Sequence, residues 1–125
     1  MNRIDTPVDV SIVIPVYYNE GMLRSTMEEL EQTVIVCHPE RSFEVVFVDD
    51  GSGDGSLGEL LEIHRQHPGW VKVIKLTRNF GQVNAMRAGM VHASGKCVVA
   101  MSADGQDPAA LINDMLKAHF DEEHE

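Results

Sequence analysis

Four short β-branched apolar runs, each followed by a stretch with helical periodicity, constrain this chain more than any other feature. The runs are Val10 to Val16 (VSIVIPV), Phe43 to Val48 (FEVVFV), Val71 to Leu76 (VKVIKL) and Cys97 to Met101 (CVVAM). Continuous rather than alternating apolar character suits strands covered on both faces, as in a parallel sheet. Between and after them, Glu20 to Val36 sets Leu23, Met27, Leu30 and Val34 on one helical face. Asp54 to His67 offers Leu57, Leu60, Leu61 and His64, and Gln82 to Ala93 offers Val83, Met86, Met90 and Ala93. Pro108 to Phe120 carries Leu111, Met115 and Ala118, with Pro108 suited to a first helical turn. Alternating strands and helices predict an α/β fold, a doubly wound and mostly parallel sheet of about four strands. The 125 residues are read as one domain, 1–125, long enough to bury a core.

Ligands of such sheets bind beyond the carboxyl ends of the strands. The polar and Gly-rich clusters of this chain fall there: YYNEG, DDGSGDGS, TRNFGQ and SADGQDP. Asp49 and Asp50 close the second strand, where adjacent carboxylates can accept hydrogen bonds from a base or a ribose. The plainer reading is a turn in which Asp54 caps the next helix; the acid pair is read as more than a turn and Asp54 as mainly a cap. Arg78 can offset phosphate charge, or be a surface arginine with Asn79 capping the following helix. Asp104 and Gln106 stand two apart after the fourth strand, and oxygen ligands of this kind suit Mg²⁺ or Mn²⁺. Asp107 is read as a cap for the helix that Pro108 opens.

Other chemistries are excluded. The first strand runs into PVYYNEG, without a dinucleotide-binding Gly-x-Gly-x-x-Gly, and no P-loop ending in Gly-Lys-Ser/Thr is present. Val48 stands where a haloacid-dehalogenase-type phosphatase needs its nucleophilic aspartate. None of the six histidines makes a His-x-x-x-His pair. His64 reads as a packed core-edge residue, and the seven methionines read mostly as core filler. A net charge of −10 argues against non-specific nucleic-acid binding. It also repels a phosphate ligand unless a cation or backbone donors intervene. Cys37 and Cys97 read as reduced thiols. There is no apolar signal core and no run near the ~20 apolar residues of a membrane span, so the expected location is cytoplasmic. The open edge of a four-strand sheet predicts self-association.

In this order the clusters resemble family 2 glycosyltransferases, inverting enzymes with the type A nucleotide-sugar fold. The segments that carry the resemblance are SIVIPVYYNE, FEVVFVDDGSGDGS, KVIKLTRNFGQ, AMRAGMVHASG and VVAMSADGQDP. RNFGQ and SADGQDP make it most similar to the polyprenyl-phosphate sugar transferases. The resemblance implies a Rossmann-like donor half that binds a UDP- or GDP-sugar. Pro15, Tyr17 and Glu20 then surround the nucleoside, Asp50 reads the base with Asp49 beside it, and Arg78 and Gly81 approach the diphosphate. Asp104, with Gln106, then holds Mg²⁺ or Mn²⁺, which neutralises the leaving diphosphate.

It implies a lipid-phosphate or cell-envelope glycan acceptor, and a location at the cytoplasmic face of the membrane if membrane helices lie downstream. The catalytic acid/base is expected beyond residue 125, since too few residues follow Pro108 for the acceptor half. Ser102 stands where an aspartate is commonest, Gly105 replaces a usual leucine, and Tyr-Tyr-Asn-Glu is one residue longer than the common motif. Ser102, Gly105 and the expected lack of the acceptor half leave a second reading open: a catalytically inactive module of the same fold serving oligomerisation or regulation.

Overall fold

The computed structural model describes residues 8–103 and 109–122. Strand β1 (Val10–Val16) is followed by α1 (Leu23–Leu30), β2 (Phe43–Asp49), α2 (Ser56–Gln66), β3 (Val71–Lys75), α3 (Gln82–His92), β4 (Cys97–Ala100) and α4 (Ala109–Glu122). The four strands form one sheet in the order β3-β2-β1-β4. Every pairing is parallel, with Val10 opposite both Phe43 and Cys97, and Val45 opposite Val71. Strand order therefore reverses between β1 and β4, which makes their carboxyl ends the switch point where such sheets open a crevice. The sheet agrees with the expectation from the apolar runs because β1 and β2 are buried along their whole length.

The two faces are unequal. Ile12, Ile14, Val45 and Phe47 point into a large core closed by Leu23, Met27 and Leu30 of α1, Leu60 and Ile63 of α2, and Ile112 and Leu116 of α4. Val13, Val46 and Val48 point the other way, against Ala85 of α3. There the helix lies so close that a Cβ on Gly89 would collide with Val13 Cγ1. Small residues set that approach, which corrects the expected α3 face: Val83 and Met90 are exposed, Met86 is partly buried, and Ala85 and Gly89 meet the sheet.

Two other helix faces are turned from expectation. In α2, Leu60 and Ile63 are buried and Leu61 is exposed, while His64 hooks the Val71 carbonyl through Nδ1 at 2.7 Å instead of packing in the core. In α4 the buried pair is Ile112 and Leu116, and Met115 and Ala118 are exposed; the Leu111 side chain lies outside the described residues. Asn113 fixes that rotation by donating Nδ2 to the Thr33 carbonyl at 2.8 Å and pairing Oδ1 with His38 Nε2 at 2.9 Å. Thr33 belongs to a π-helical turn, Glu31–Ile35, that continues α1. The α1 face, Leu23, Met27, Leu30 and Val34, is buried as its spacing implies.

At the amino ends of the strands, on the α3 side, a buried carboxylate ties the sheet to the α3–β4 connection. Glu44 accepts hydrogen bonds from Ser11 Oγ and the Ser94 amide and pairs with Lys72 Nζ at 2.9 Å. Lys72 also donates to the His92 carbonyl at 3.1 Å, and Gly95 N–H donates to Ser11 Oγ at 2.8 Å. Burial pushes the Glu44 carboxyl pKa up, but the donors from Lys72, Ser11 and Ser94 and the charge of Lys72 outweigh it and hold it below the ordinary value.

A depressed folded pKa means that this contribution is complete above the unfolded-state value of about 4.3 and is lost as pH falls through the folded value. Glu44→Gln is expected to cost about 1–3 kcal/mol at pH 7, because Lys72 is half-exposed and the main loss is unsatisfied donors. Urea titrations at pH 7 and pH 3 check this: the stability gap between the variant and the natural chain should shrink at the lower pH.

Candidate active site

Three loops meet at the carboxyl ends of β1, β2 and β3, and the middle one grips both neighbours. On one side, four consecutive amides of the β1 loop donate to side chains that follow β2. Tyr18 N–H meets Ser52 Oγ at 3.0 Å, Asn19 N–H meets Ser56 Oγ at 2.9 Å, Glu20 N–H meets Asp54 Oδ2 at 3.3 Å and Gly21 N–H meets Glu59 Oε1 at 3.1 Å. Glu20 returns one bond, accepting Gly55 N–H at 2.9 Å. Asp54 Oδ1 accepts the Ser56 amide at 3.0 Å, so it serves the first turn of α2 from just before the Gly55 N-cap. Hydrogen bonds from Ser56 hold the Asp54 carboxyl below the ordinary carboxylate range. The stitched loop forces Tyr18 to φ +56°, a left-handed conformation costly for a bulky residue. Its ring meets Tyr17 edge-on, with centroids 4.7 Å apart.

On the other side Asp50 holds the β3 loop. Its side chain is buried, and its carboxylate accepts Phe80 N–H at 2.8 Å, Gly81 N–H at 3.1 Å and Asn79 Nδ2–H at 3.0 Å. These donors stand at the amino end of α3, where free amides favour an anion. Asn79 thus serves Asp50, and Gly81 is the N-cap of α3, with no side-chain cap bond. Next to Asp50, Gly51 at φ +77° passes so near the β3 loop that a Cβ would stand 2.5 Å from Arg78 C and Asn79 N.

Together with Ser102 and Ala103 after β4, the loops line a cavity of about 450 Å³ at the switch point. Of the nucleotide-sugar-binding residues that the resemblance implies, Pro15, Tyr17, Asp50 and Gly81 line it. Glu20 and Arg78 do not: Glu20 clamps the β2 loop, and exposed Arg78 lays its guanidinium over the Phe80 ring at 4.5 Å. Asp49 is also absent from the lining. It is buried on the strand face shared with Val45 and Phe47, and among the described residues its Oδ1 has no hydrogen-bond partner. Asn19, Asn79, Gln82 and Ser102 line the cavity as well, and of these Asn19 and Gln82 were not singled out by sequence reasoning. The anchoring serines and Glu59 were missed too, although Ser52, Asp54, Ser56 and Glu59 form a visible row of acceptors.

The candidate metal ligands Asp104 and Gln106, and the proposed cap Asp107, lie outside the described residues. Among the described residues no three His, Cys, Asp or Glu side chains cluster as a metal site. The cavity's described carboxylate, Asp50, is already engaged by three donors. The described residues alone therefore do not make a cation site, and a metal would need ligands from the 104–108 stretch or from the bound molecule.

Gly51→Ala tests how far the cavity depends on the approach of the two loops. The added methyl meets backbone and the φ is left-handed, so a cost of about 1–3 kcal/mol is expected. Amide hydrogen exchange should show faster exchange at Phe80 and Gly81, with the β1–β2 core still protected.

The geometry has counterparts among known proteins. The glycosyl transferase family 2 model matches residues 11–125. An undecaprenyl-phosphate 4-deoxy-4-formamido-L-arabinose transferase of Edwardsiella ictaluri is 40% identical over 94% of this chain and 36% of its own length. The crystal structure of S. aureus TarS 1-349 in complex with UDP superposes with a TM-score of 0.73 at 27% identity, over 94% of this chain and 33% of that one. The mannosyltransferase PcManGT of Pyrobaculum calidifontis, in complex with GDP-Man and Mn²⁺, gives 0.71 at 25% identity, over 83% of this chain and 30% of that one. This chain spans about a third of the length of the curated relatives it matches. With the family model covering nearly all of it, and a parallel sheet that carries its cavity at the strand ends, the chain belongs to glycosyltransferase family 2.

Proposed function

We propose that this chain is the donor-binding part of an inverting glycosyltransferase that moves a hexose from a UDP- or GDP-sugar to a polyprenyl phosphate or a cell-envelope glycan. The observation that carries the reading is the switch-point cavity, lined by Pro15 at the end of β1, Tyr17 just after it, Asp50 just after β2, and Gly81 at the amino end of α3. Support for a nucleotide diphosphate comes from the UDP and GDP-Man complexes of TarS and PcManGT. Support for a lipid-phosphate acceptor comes from the named activity of the Edwardsiella relative. In this reading Tyr17 and Pro15 border the nucleoside, and Gly81 and Arg78 lie toward the diphosphate. Asp104 and Gln106 hold Mg²⁺ or Mn²⁺, whose charge offsets the leaving diphosphate. The acceptor half and its acid/base are assigned to sequence beyond residue 125. Among the described residues no helix is long and apolar enough to cross a membrane.

Self-association is proposed alongside. The outer edge of β4 pairs with no strand among the described residues, and Val98 on that strand is 37% exposed. A second copy pairing along β4 would satisfy the edge. Sedimentation velocity is expected to show a dimer that Val98→Lys shifts to monomer; a monomer at all concentrations contradicts the pairing.

Differential scanning fluorimetry with UDP, GDP, CDP and ADP, each with and without Mn²⁺, tests the donor reading. A nucleotide at 100 times its dissociation constant adds about 2.7 kcal/mol, which a melting curve resolves. A shift with UDP or GDP that requires Mn²⁺ is expected. A folded chain that shifts with none of the four supports the inactive module instead.

A further inference from the structure

The amphipathy of α3 is inverted. Its small residues, Ala85 and Gly89, meet the sheet, and larger apolar ones face outward: Val83 is 68% exposed, Met90 48% and Val91 80%. A helix on a sheet ordinarily buries its large apolar residues. The inverted surface continues onto β4. Val98 and Ala100 pair with Ser11 and Val13, so they lie on the α3 side of the sheet, and both are exposed. Among the described residues nothing covers this apolar surface.

Charge divides along the same line. From Val71 to Ala103 the sequence holds Lys72, Lys75, Arg78, Arg87 and Lys96 and no acid, in a chain with 20 Asp and Glu. Lys72 is engaged by buried Glu44, and Lys75 pairs in register with Asp49, which puts it on the opposite face. Arg87 is exposed and stands one helical turn from Val83, Met90 and Val91. Lys96, also exposed, precedes Val98 by two and shares its face. Neither Arg87 nor Lys96 has an ion pair among the described residues. The glutamates of α1 and α2, Glu28, Glu29 and Glu62 among them, belong to helices that close the large core on the other side. The sheet separates them from α3 by more than the screening length of about 8 Å at physiological salt.

We propose that the outer side of α3, with the adjoining face of β4, is a docking surface for a bilayer that contains anionic lipid. Valine and methionine side chains enter the acyl boundary, and Arg87 and Lys96 meet the headgroups. The same face on a second copy would bring Arg87 toward Arg87 with no acid between them. A nucleic-acid backbone would leave the aliphatic side chains in water. Docking sets the cavity beside the bilayer, because Gly81 at the amino end of α3 lines it. The proposal goes beyond the donor-binding reading and stands without it, since a vesicle can be bound with no nucleotide present.

Flotation tests it with vesicles of phosphatidylcholine alone and vesicles in which about a third is phosphatidylglycerol. The natural chain is expected to bind the anionic vesicles at least about tenfold more tightly, and less so as salt is raised. One cation near such a surface is worth roughly fivefold, so Arg87→Gln should weaken binding about fivefold and Arg87→Gln with Lys96→Gln about twenty-fivefold. Met90→Gln with Val91→Ser should cost about tenfold, through lost apolar burial. Lys75→Gln removes an equal charge from the far face and should change binding less than about twofold.

Val91→Trp serves where the paired apolar variant fails to fold. Its emission, measured against the natural chain with Trp70 alone, should shift to the blue on anionic vesicles. A natural chain that floats with neither vesicle, or equally with both, overturns the proposal. So does a Lys75→Gln loss as large as that of Arg87→Gln, which marks diffuse attraction with no docked face. Unchanged binding in the folded apolar variant, or an unshifted emission of Val91→Trp, overturns the insertion on which the proposal rests.

Discussion

The Asp50 carboxylate joins the loops that follow β2 and β3, which would otherwise be independent. It closes a strand buried from end to end, so its backbone is held by the sheet: Asp50 N–H donates to the Val16 carbonyl at 2.8 Å. From that fixed point it collects three donors at the start of α3. A buried carboxylate without such donors is costly, and a helix amino end without an acceptor leaves amides unpaired. Each group satisfies the other. Because both elements are anchored in the sheet, the β3 loop is set in place before any ligand arrives. The acceptors Ser52, Asp54, Ser56 and Glu59 then fix the β1 loop to the same frame. The cavity is held by polar contacts between loops and rests on a sheet with an apolar core, which is how a mobile chemistry gains a rigid seat.

The unequal faces of the sheet serve the same arrangement. Three helices share the large core, while α3 alone covers the described part of the other face. Gly89 lets α3 settle onto Val13 and Val48, and that depth brings the amino end of the helix level with Asp50. A larger residue at position 89 would lift the helix and strain the contacts to Phe80 and Gly81. At the opposite end of α3, Glu44 and Lys72 bind the Ser94 amide and the His92 carbonyl. One helix is thus pinned at both ends by buried carboxylates, and between them by a glycine contact.

Sequence legibility follows from how local each cause is. The strands could be read because β1 and β2 are buried on both faces, which leaves an unbroken β-branched run at the same bounds, give or take a residue. The α1 face could be read because its four apolar residues are all buried. The α3 face could not, because the sheet meets Ala85 and Gly89, and a hydrophobic pattern follows the large residues that stay outside, Val83 and Met90. In α4 the rotation is decided by Asn113 reaching Thr33, a contact across 80 residues. The cavity was legible as a place, since its polar clusters sit at strand ends. The division of labour inside it was not. Glu20 and Arg78 carry charges that suit a ligand, yet one clamps a neighbouring loop and the other stacks on Phe80, and both outcomes depend on partners distant in sequence.

Charge places a last requirement on the site. A chain of net charge −10 should repel a nucleoside diphosphate. The described cavity is less hostile than that sum implies, because its Asp50 charge is spread over two backbone amides and one side-chain amide. The other acids near the loops, Asp54 and Glu20, are turned into contacts between loops and do not line the cavity. What remains around the opening is mostly neutral: tyrosine, asparagine, glutamine, serine and glycine. Such a lining can select a base through fixed hydrogen bonds, but it supplies little positive charge for two phosphates. Arg78 stands outside the lining, held on Phe80. Among the described residues the lining therefore offers neutral hydrogen-bonding groups and little positive charge.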